Sequence, residues 1–136
     1  MRTIKFRGII KNHDELFDGW VYGDLIHYAN GGVAIRQQET GQEFEVDPQT
    51  IGQFTGLFDK NGKEIYEWDI LFGREEGNCE TTAWTNIYYK VFYDEKLCSF
   101  MAKDKDDTYW DIIICELNEQ YEIIGNIFDK PELLKN

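Results

Sequence analysis

Cysteine has the most versatile side-chain chemistry in this sequence, and the spacing of its three copies argues against a metal site. They are too far apart for a CxxC clip, in which two thiolates of one short loop bind the same ion. The three residues are Cys79, Cys98 and Cys115. An odd number leaves one thiol unpaired in any disulfide scheme, so we predict a reducing compartment.

Histidine and serine show no catalytic pattern either. His13 and His27 have no cysteine or carboxylate at metal-ligand spacing, and Ser99, the only serine, lies in no nucleophile motif. We therefore predict no catalytic residue, no metal and no cofactor, and a protein that is not an enzyme. A hydrolase or metal-dependent enzyme built from dispersed residues stays open as an alternative. It would need a pocket that gathers Asp or Glu with one of the histidines.

The densest group of carboxylates lies near the C-terminal end. It consists of Asp104, Asp106, Asp107 and Asp111. Oxygen ligands of this kind suit a hard cation such as Ca²⁺. With Asp104 at the first position of an EF-hand loop, however, Tyr109 replaces the glycine of the sharp turn and Cys115 replaces the bidentate glutamate. A solvated hairpin loop is the favoured interpretation, and cation binding by this cluster stays open.

The formal net charge of −12, from 14 basic and 26 acidic side chains, limits the partners of the chain. This charge repels nucleic-acid phosphates and acidic lipids, so direct nucleic-acid binding and membrane binding are disfavoured. Residues 1–68 carry a net charge of −4 and residues 69–136 carry −8. No window approaches the roughly 18 apolar residues of a membrane span, and the N-terminus lacks a signal-peptide pattern. We predict a cytoplasmic protein.

The N-terminal segment is an exception to this acidity, because residues 2–11 contain four basic side chains and no acidic one. Residues 3–10 also alternate between apolar and polar types, which predicts a half-buried strand with Lys5 and Arg7 on its polar face. That face either pairs with acidic loops of the same chain or contacts an acidic partner.

Large aromatic side chains are the other candidates for a contact surface. Trp20 and Tyr22 lie in the next predicted strand, and Trp68 follows a predicted hairpin. Aromatic residues dominate interface anchors, although many of those in a small β protein belong to its core. Together with Lys5 and Arg7, these three residues form the candidate interaction surface.

The candidate side chains must be positioned by strands and turns. Residues 47–71 give the clearest sequence signals for such elements. Asp47 before Pro48 predicts an N-cap followed by the first residue of a 3₁₀ turn. Asn61 and Gly62 lie in the polar run of residues 59–63 between apolar segments. This pattern predicts a β-hairpin, because both residues tolerate positive φ.

Short alternating segments bounded by glycine turns continue along the chain. Residues 81–93 are apolar on both faces, which predicts a central strand, while residues 130–134 predict a short C-terminal helical turn. Further strands are predicted at residues 19–28, 33–36, 43–46, 97–102, 109–117 and 121–128. We predict a mainly β protein of bent antiparallel sheets, with a small SH3-like barrel in the C-terminal half and little helix. Residues 1–136 form a single domain, or two subdomains with a boundary near residues 73–80.

The run IGQFTGLFDKNGKEIYEWDIL at residues 51–71 resembles the central signature of the YopX family of phage and prophage proteins. Supporting matches are IKFRG at residues 4–8, GWVYGDLI at residues 19–26 and YEIIGNIFDKPELL at residues 121–134. Trp68 departs from the family pattern, which generally has glycine there. The resemblance implies a small, mostly β protein of a phage or prophage, and it carries over no catalytic residue.

The sequence therefore supports three hypotheses about function. The leading one is a non-enzymatic module that binds a protein partner, either a different protein or a second copy of the chain. The second is a nucleic-acid-related role, either binding through the basic strand with Lys5, Arg7 and Lys11 or DNA mimicry by the acidic C-terminal half. The third is a hydrolase or metal-dependent enzyme whose catalytic residues are dispersed along the chain.

Overall fold

The computed structural model describes residues 1–12, 19–76, 83–106 and 111–135. Strands make up 53% of these residues and pair in antiparallel sheets, which confirms a mainly β protein with almost no helix. The strands are β1 (Phe6–Ile9), β2 (Trp20–His27), β3 (Val33–Arg36), β4 (Glu43–Glu45), β5 (Gly52–Phe58), β6 (Glu64–Tyr66), β7 (Asp69–Glu76), β8 (Trp84–Asp94), β9 (Ser99–Asp104), β10 (Ile112–Ile113) and β11 (Glu122–Asn126). Three 3₁₀ helices complete the list: η1 (Pro48–Thr50), η2 (Ile114–Glu116) and η3 (Pro131–Leu134).

The chain divides into two compact units, Met1–Gly56 and Leu57–Asn136. Strand β5 runs from the first unit into the second. The boundary predicted near residues 73–80 falls within the second unit, and residues 77–80 lie outside the described residues. The single-domain assignment of residues 1–136 stays a prediction.

The first unit is an antiparallel sheet in the strand order β4-β3-β2-β1-β5. Its core is built from aliphatic side chains that alternate along the strands with residues of the opposite face. The buried members are Val21, Val33, Ile35 and Val46. Asp47 caps η1 as predicted, because its carboxylate accepts a hydrogen bond of 3.0 Å from the Gln49 N–H.

The second unit contains a five-stranded antiparallel sheet in the order β10-β9-β8-β7-β11. Strand β8 is central in this sheet, which confirms the prediction made from residues 81–93 for the part that the structure describes. One face of the sheet forms the core with β6, η2 and the ring of Tyr121. The buried side chains of this core are Ile65, Leu71, Ile87, Tyr89, Val91, Ala102, Ile114, Leu117 and Tyr121.

The predicted turn at residues 59–63 connects β5 to β6, but its geometry differs from the expectation. The Gly62 N–H donates to the Asp59 carbonyl over 3.0 Å, and the Asp59 N–H donates to the Lys63 carbonyl over 2.8 Å. Only Gly62 takes positive φ, at 82°, whereas Asn61 does not. This is a type I turn closed by a glycine bulge, in place of the two-residue turn in which both residues are left-handed.

Other details of the C-terminal half also differ from the sequence prediction. The strand expected over residues 109–117 is reduced to β10, because the chain turns into η2 at Ile114, which is 3% exposed in the core. Residues 109 and 110 lie outside the described ranges. Residues 130–134 form η3 with proline at its start, as predicted.

The strands in the described ranges do not close into a barrel, so the SH3-like barrel stays a prediction. The helices found in these ranges are single 3₁₀ turns, and none has the length and apolar character needed to cross a membrane.

Candidate functional site

Three of the five residues predicted for the interaction surface lie on the strand pair β1–β2, and Lys5 directly precedes β1. Arg7 is paired with Tyr22 and Ile9 with Trp20 in the antiparallel register. Because directly opposite residues point to the same side of a sheet, Arg7, Tyr22 and Trp20 share one face. Phe6 and Val21 belong to the other face, which packs in the core of the first unit.

This face is more buried than the alternation at residues 3–10 predicts. Arg7 is 6% exposed and Trp20 is 7% exposed, and the Arg7 guanidinium carbon lies 4.6 Å from the centre of the Trp20 ring. Cation–π stacking of this kind keeps a buried guanidinium in a favourable environment. The expectation that Arg7 lies on a polar strand face, open to acidic loops or to a partner, is therefore wrong. Lys5 is half-buried, so Tyr22, at 42% exposure, is the most accessible member of the set.

Trp68, the fifth predicted residue, lies in the second unit and has an unusual backbone. Its φ is +74°, in the left-handed region that favours glycine. The Trp68 N–H donates to the Val91 carbonyl over 2.8 Å, and its carbonyl accepts from the Ile127 N–H over 3.0 Å. These two bonds hold the turn between β6 and β7 in place. They fix a backbone conformation that suits glycine, whatever side chain stands at this position.

Alanine usually gives a more stable protein than glycine does at the same position. We expect the opposite order of stability when Trp68 is replaced. We expect Trp68→Gly to have a free energy of unfolding about 1 kcal/mol higher than Trp68→Ala, because only alanine retains the left-handed strain. Thr85, an exposed residue inside β8, is the matched control. There, glycine should be less stable than alanine by about 0.5 to 1 kcal/mol. Urea unfolding of the four variants tests this, and equal or higher stability of Trp68→Ala would contradict it.

A cleft of about 310 Å³ opens beside Trp68 in the second unit. Its lining combines three aromatic rings, two ammonium groups and one carboxylate. The lining residues are Trp68, Lys90, Phe92, Tyr93, Lys103 and Asp111. Its volume is at the lower end of the range for small-molecule sites in proteins.

Two lysines of this cleft are direct cross-strand neighbours. Lys90 on β8 is paired with Lys103 on β9, and the next pair on the same face is Phe92 with Met101. At the other end of the face, the Lys105 ammonium lies 4.7 Å from the centre of the Tyr88 ring. We call these residues the lysine–aromatic face: Tyr88, Lys90, Phe92, Met101, Lys103 and Lys105. None of the six is acidic, although the chain as a whole carries a charge of −12.

The carboxylate cluster predicted as a possible cation site is only partly described, because Asp107 lies outside the described residues. Asp104 is 5% exposed and accepts a hydrogen bond of 2.7 Å from the Asp106 N–H, so it shapes the turn after β9. Asp111 instead lines the cleft beside Trp68. Within residues 1–12, 19–76, 83–106 and 111–135, no three His, Cys, Asp or Glu side chains converge as metal ligands would.

The sequence prediction missed this cleft, although part of its signal was present. The alternation of residues 81–93 assigns Tyr88 and Phe92 to one face of β8, and Lys90 lies between them in the same alternation. The missing information was the partner strand, because only the β8–β9 register places Lys103 opposite Lys90.

Comparison with known proteins assigns a family to the chain. The family model described as YopX protein matches residues 5–135, which is nearly the whole chain. A search of curated proteins gives no match. The match includes β1, the turn at residues 59–63, the Trp68 turn and η3, so it extends over both compact units. The chain therefore belongs to the YopX family.

Proposed function

We propose that this chain is a non-enzymatic protein-interaction module of a phage or prophage that acts in the cytoplasm of the host bacterium. The phage origin rests on the resemblance of residues 51–71 to the YopX signature. The cytoplasmic location is supported by Cys98 and Cys115, which are exposed, because a reducing compartment keeps exposed thiols of this kind from oxidation.

The observation that carries the interaction role is the exposed ring of Tyr22. It lies on the sheet face opposite the core of the first unit, directly across from Arg7. Tyrosine, tryptophan and arginine are the residue types that most often anchor protein interfaces. Arg7 and Trp20 are buried, so they act as a rigid support, and Tyr22 with Lys5 is the part that a partner reaches.

Binding of nucleic acid through the basic N-terminal strand receives less support. That role needs several cations that reach phosphates at the same time. Arg7 is 6% exposed and stacks on Trp20, and Lys11 bonds to the Glu45 carboxylate over 3.3 Å. The acidic carboxylate beside Lys11 further weakens the attraction of this strand for a polyanion.

Capture of partners from a lysate of the host bacterium tests the proposal. We expect the immobilised chain to retain a discrete protein, and Tyr22→Ala to reduce its retention at least about tenfold, the effect of an interface anchor. Tyr28→Ala is the matched control, because Tyr28 is 40% exposed and its hydroxyl donates to Glu43 on β4. Equal retention by wild type and Tyr22→Ala would contradict the assignment of this surface.

A second copy of the chain is the other partner that this surface can have. Light scattering of the purified protein measures this directly. If the partner is a second copy, the wild type and Tyr28→Ala should be dimeric and Tyr22→Ala should be monomeric at the same concentration. A wild-type monomer assigns the surface to a different protein.

A further inference from the structure

Strand β7 is longer than one of the two strands beside it, so part of its edge is open in the described part of the chain. It pairs with β8 over residues 70–76, but with β11 only over residues 69–72. Residues 73–76 therefore have β8 on one side and no described strand on the other. The unpaired N–H and carbonyl groups of such an edge are a template for a strand of another chain.

The segment that precedes β11 does not close this edge. Tyr121 is 1% exposed in the core and lies so close to Gly73 that a Cβ added there would collide with its ring. The Tyr121 N–H donates to the Leu117 carbonyl over 3.2 Å, so the chain forms a turn here and does not continue β11 backwards along β7. A groove of about 420 Å³ opens between residues 72–74 and the start of β11. The open edge is therefore accessible.

Beyond β11, the end of β7 forms a two-stranded ribbon with β8. Arg74 is paired with Asn86, and Glu76 is paired with Trp84. All four residues are exposed, Trp84 by 62%. Two strands alone are only marginally stable in water, and additional strands stabilise them. A strand that pairs with the open edge of β7 would therefore stabilise this ribbon.

The charges of the open edge favour an identical strand as its partner. Two antiparallel edges of identical copies are related by a two-fold axis normal to the sheet, so opposite residues must belong to the same face. With Glu75 on this axis, Arg74 of each copy lies opposite Glu76 of the other, which gives two pairs of unlike charge. With Arg74 or Glu76 on the axis, that residue lies opposite its own counterpart, and like charges meet.

The charges that form these pairs are available. Among the described residues, no hydrogen bond or ion pair involves the side chain of Arg74 or Glu76. The same register places the two Glu75 carboxylates opposite each other on the other face of the sheet. The Tyr121 hydroxyl donates to Glu75 over 2.8 Å and stabilises its charge, so the two unlike pairs outweigh this single like pair.

We propose that the open edge of β7 binds the same edge of a second copy, with Glu75 on the two-fold axis and Arg74 opposite Glu76 at both ends of the contact. The two ribbons then form one antiparallel sheet. The net charge of −12 opposes association at long range, but at physiological salt charges more than about 8 Å apart are largely screened. The contacting pairs therefore determine the affinity. Because the contact is small, the dimer is weak and reversible.

Sedimentation equilibrium of the full chain at physiological salt tests this proposal. We expect a monomer–dimer equilibrium between about 1 μM and 1 mM, the range of weak interfaces. Arg74→Glu and Glu76→Arg each replace both unlike pairs by like pairs, so each should raise the dissociation constant at least about tenfold. The double variant that combines them exchanges the two charges and should return the constant to within about threefold of the wild type.

Two further variants refine the test. Glu75→Gln should lower the dissociation constant, because it removes the like pair on the axis and keeps an acceptor for the Tyr121 hydroxyl. Lys135→Glu is the matched control, since it makes the same change of net charge as Arg74→Glu at an exposed residue of the same unit. It should dimerise as the wild type does. Circular dichroism checks that each variant is folded.

A wild type that stays monomeric up to about 1 mM would overturn this inference. A dimer that neither charge reversal weakens, or that the double variant does not restore, would overturn it as well. Tyr22→Ala should leave the dimer intact, because Tyr22 belongs to the other unit. A dimer that is lost in Tyr22→Ala and kept in Arg74→Glu would assign the self-contact to the Tyr22 surface, against this inference. Retention of a different protein tests the Tyr22 surface separately.

Discussion

Asp59→Ala is expected to lower the free energy of unfolding by about 3 to 5 kcal/mol, because three backbone donors lose a charged acceptor at once. Asp59 is 5% exposed, and one of its carboxylate oxygens accepts from the N–H groups of Asn61 and Lys63, both over 2.9 Å. The other oxygen accepts from the Ile123 N–H over 2.9 Å. One side chain thus ties the turn after β5 to the start of β11. Urea unfolding measures the loss.

The conservative variant Asp59→Asn separates the effect of the side chain's charge on stability from the effect of its shape. It keeps the size of the side chain but replaces one acceptor oxygen by a donor, so we expect a loss of about 2 to 3 kcal/mol. Hydrogen exchange should show faster exchange of the β11 amides in both variants. Stability of Asp59→Ala within about 1 kcal/mol of the wild type would contradict the role assigned to this carboxylate.

The same carboxylate should make stability depend on pH. Burial raises the pKa of Asp59, but hydrogen bonds from the Ile123, Lys63 and Asn61 N–H groups outweigh it and hold the pKa below its ordinary value. A pKa that is lower in the folded state stabilises the protein above the unfolded-state pKa of about 4, and this stabilisation is lost as pH falls through the folded-state value. The stability difference between wild type and Asp59→Asn should therefore be constant above about pH 5 and shrink below about pH 4.

Gly23→Ala should be the most damaging single-methyl change in the first unit, with an expected loss of about 3 kcal/mol or more. Gly23 has a φ of +155°, and an added Cβ would collide with the Arg36 carbonyl oxygen and lie 2.8 Å from the Arg36 carbonyl carbon. The obstacle is backbone, and it is fixed because Asp24 and Arg36 are paired between β2 and β3. The collision can therefore be relieved only if the pairing of β2 with β3 is lost at this point.

Gly62→Ala is the control that separates collision from backbone strain. Gly62 also has positive φ, at 82°, but nothing lies within 4 Å of an added Cβ. Its replacement should cost only about 1 to 2 kcal/mol, the price of the left-handed conformation. Thermal unfolding followed by circular dichroism compares the two variants. Equal losses would show that the carbonyl of Arg36 moves aside at little cost.

The features of the proposed sites can be predicted from the sequence to different extents. The basic and aromatic residues of β1 and β2 are recognisable from the sequence, and the register confirms that Arg7, Trp20 and Tyr22 share a face. Their exposure is not recognisable in this way, because alternation gives the side of a strand and not what covers it. The 6% exposure of Arg7 is decided by tertiary packing.

Local signals determined much of the architecture. The Asp47 cap, the turn at residues 59–63 and η3 follow from interactions within a few residues, and the apolar residues on both sides of β8 indicated its central position, so the sequence alone was sufficient to predict them. The contact between the Asp59 carboxylate and Ile123 was not predictable in this way, because Ile123 is 64 residues away and such a contact has no sequence pattern.

The cleft and the Trp68 backbone were decided only by the tertiary structure. Lys90 and Lys103 are 13 residues apart in the chain, and their pairing depends on the register of β8 with β9. The resemblance to the YopX signature implies glycine at position 68, but the sequence does not show why glycine suits the position. The reason is the pair of hydrogen bonds from Trp68 to Val91 and Ile127, which fix φ at +74° through residues that are distant in sequence. Sequence periodicity reports the local period of a strand, whereas strand register and long-range hydrogen bonds are properties of the folded chain.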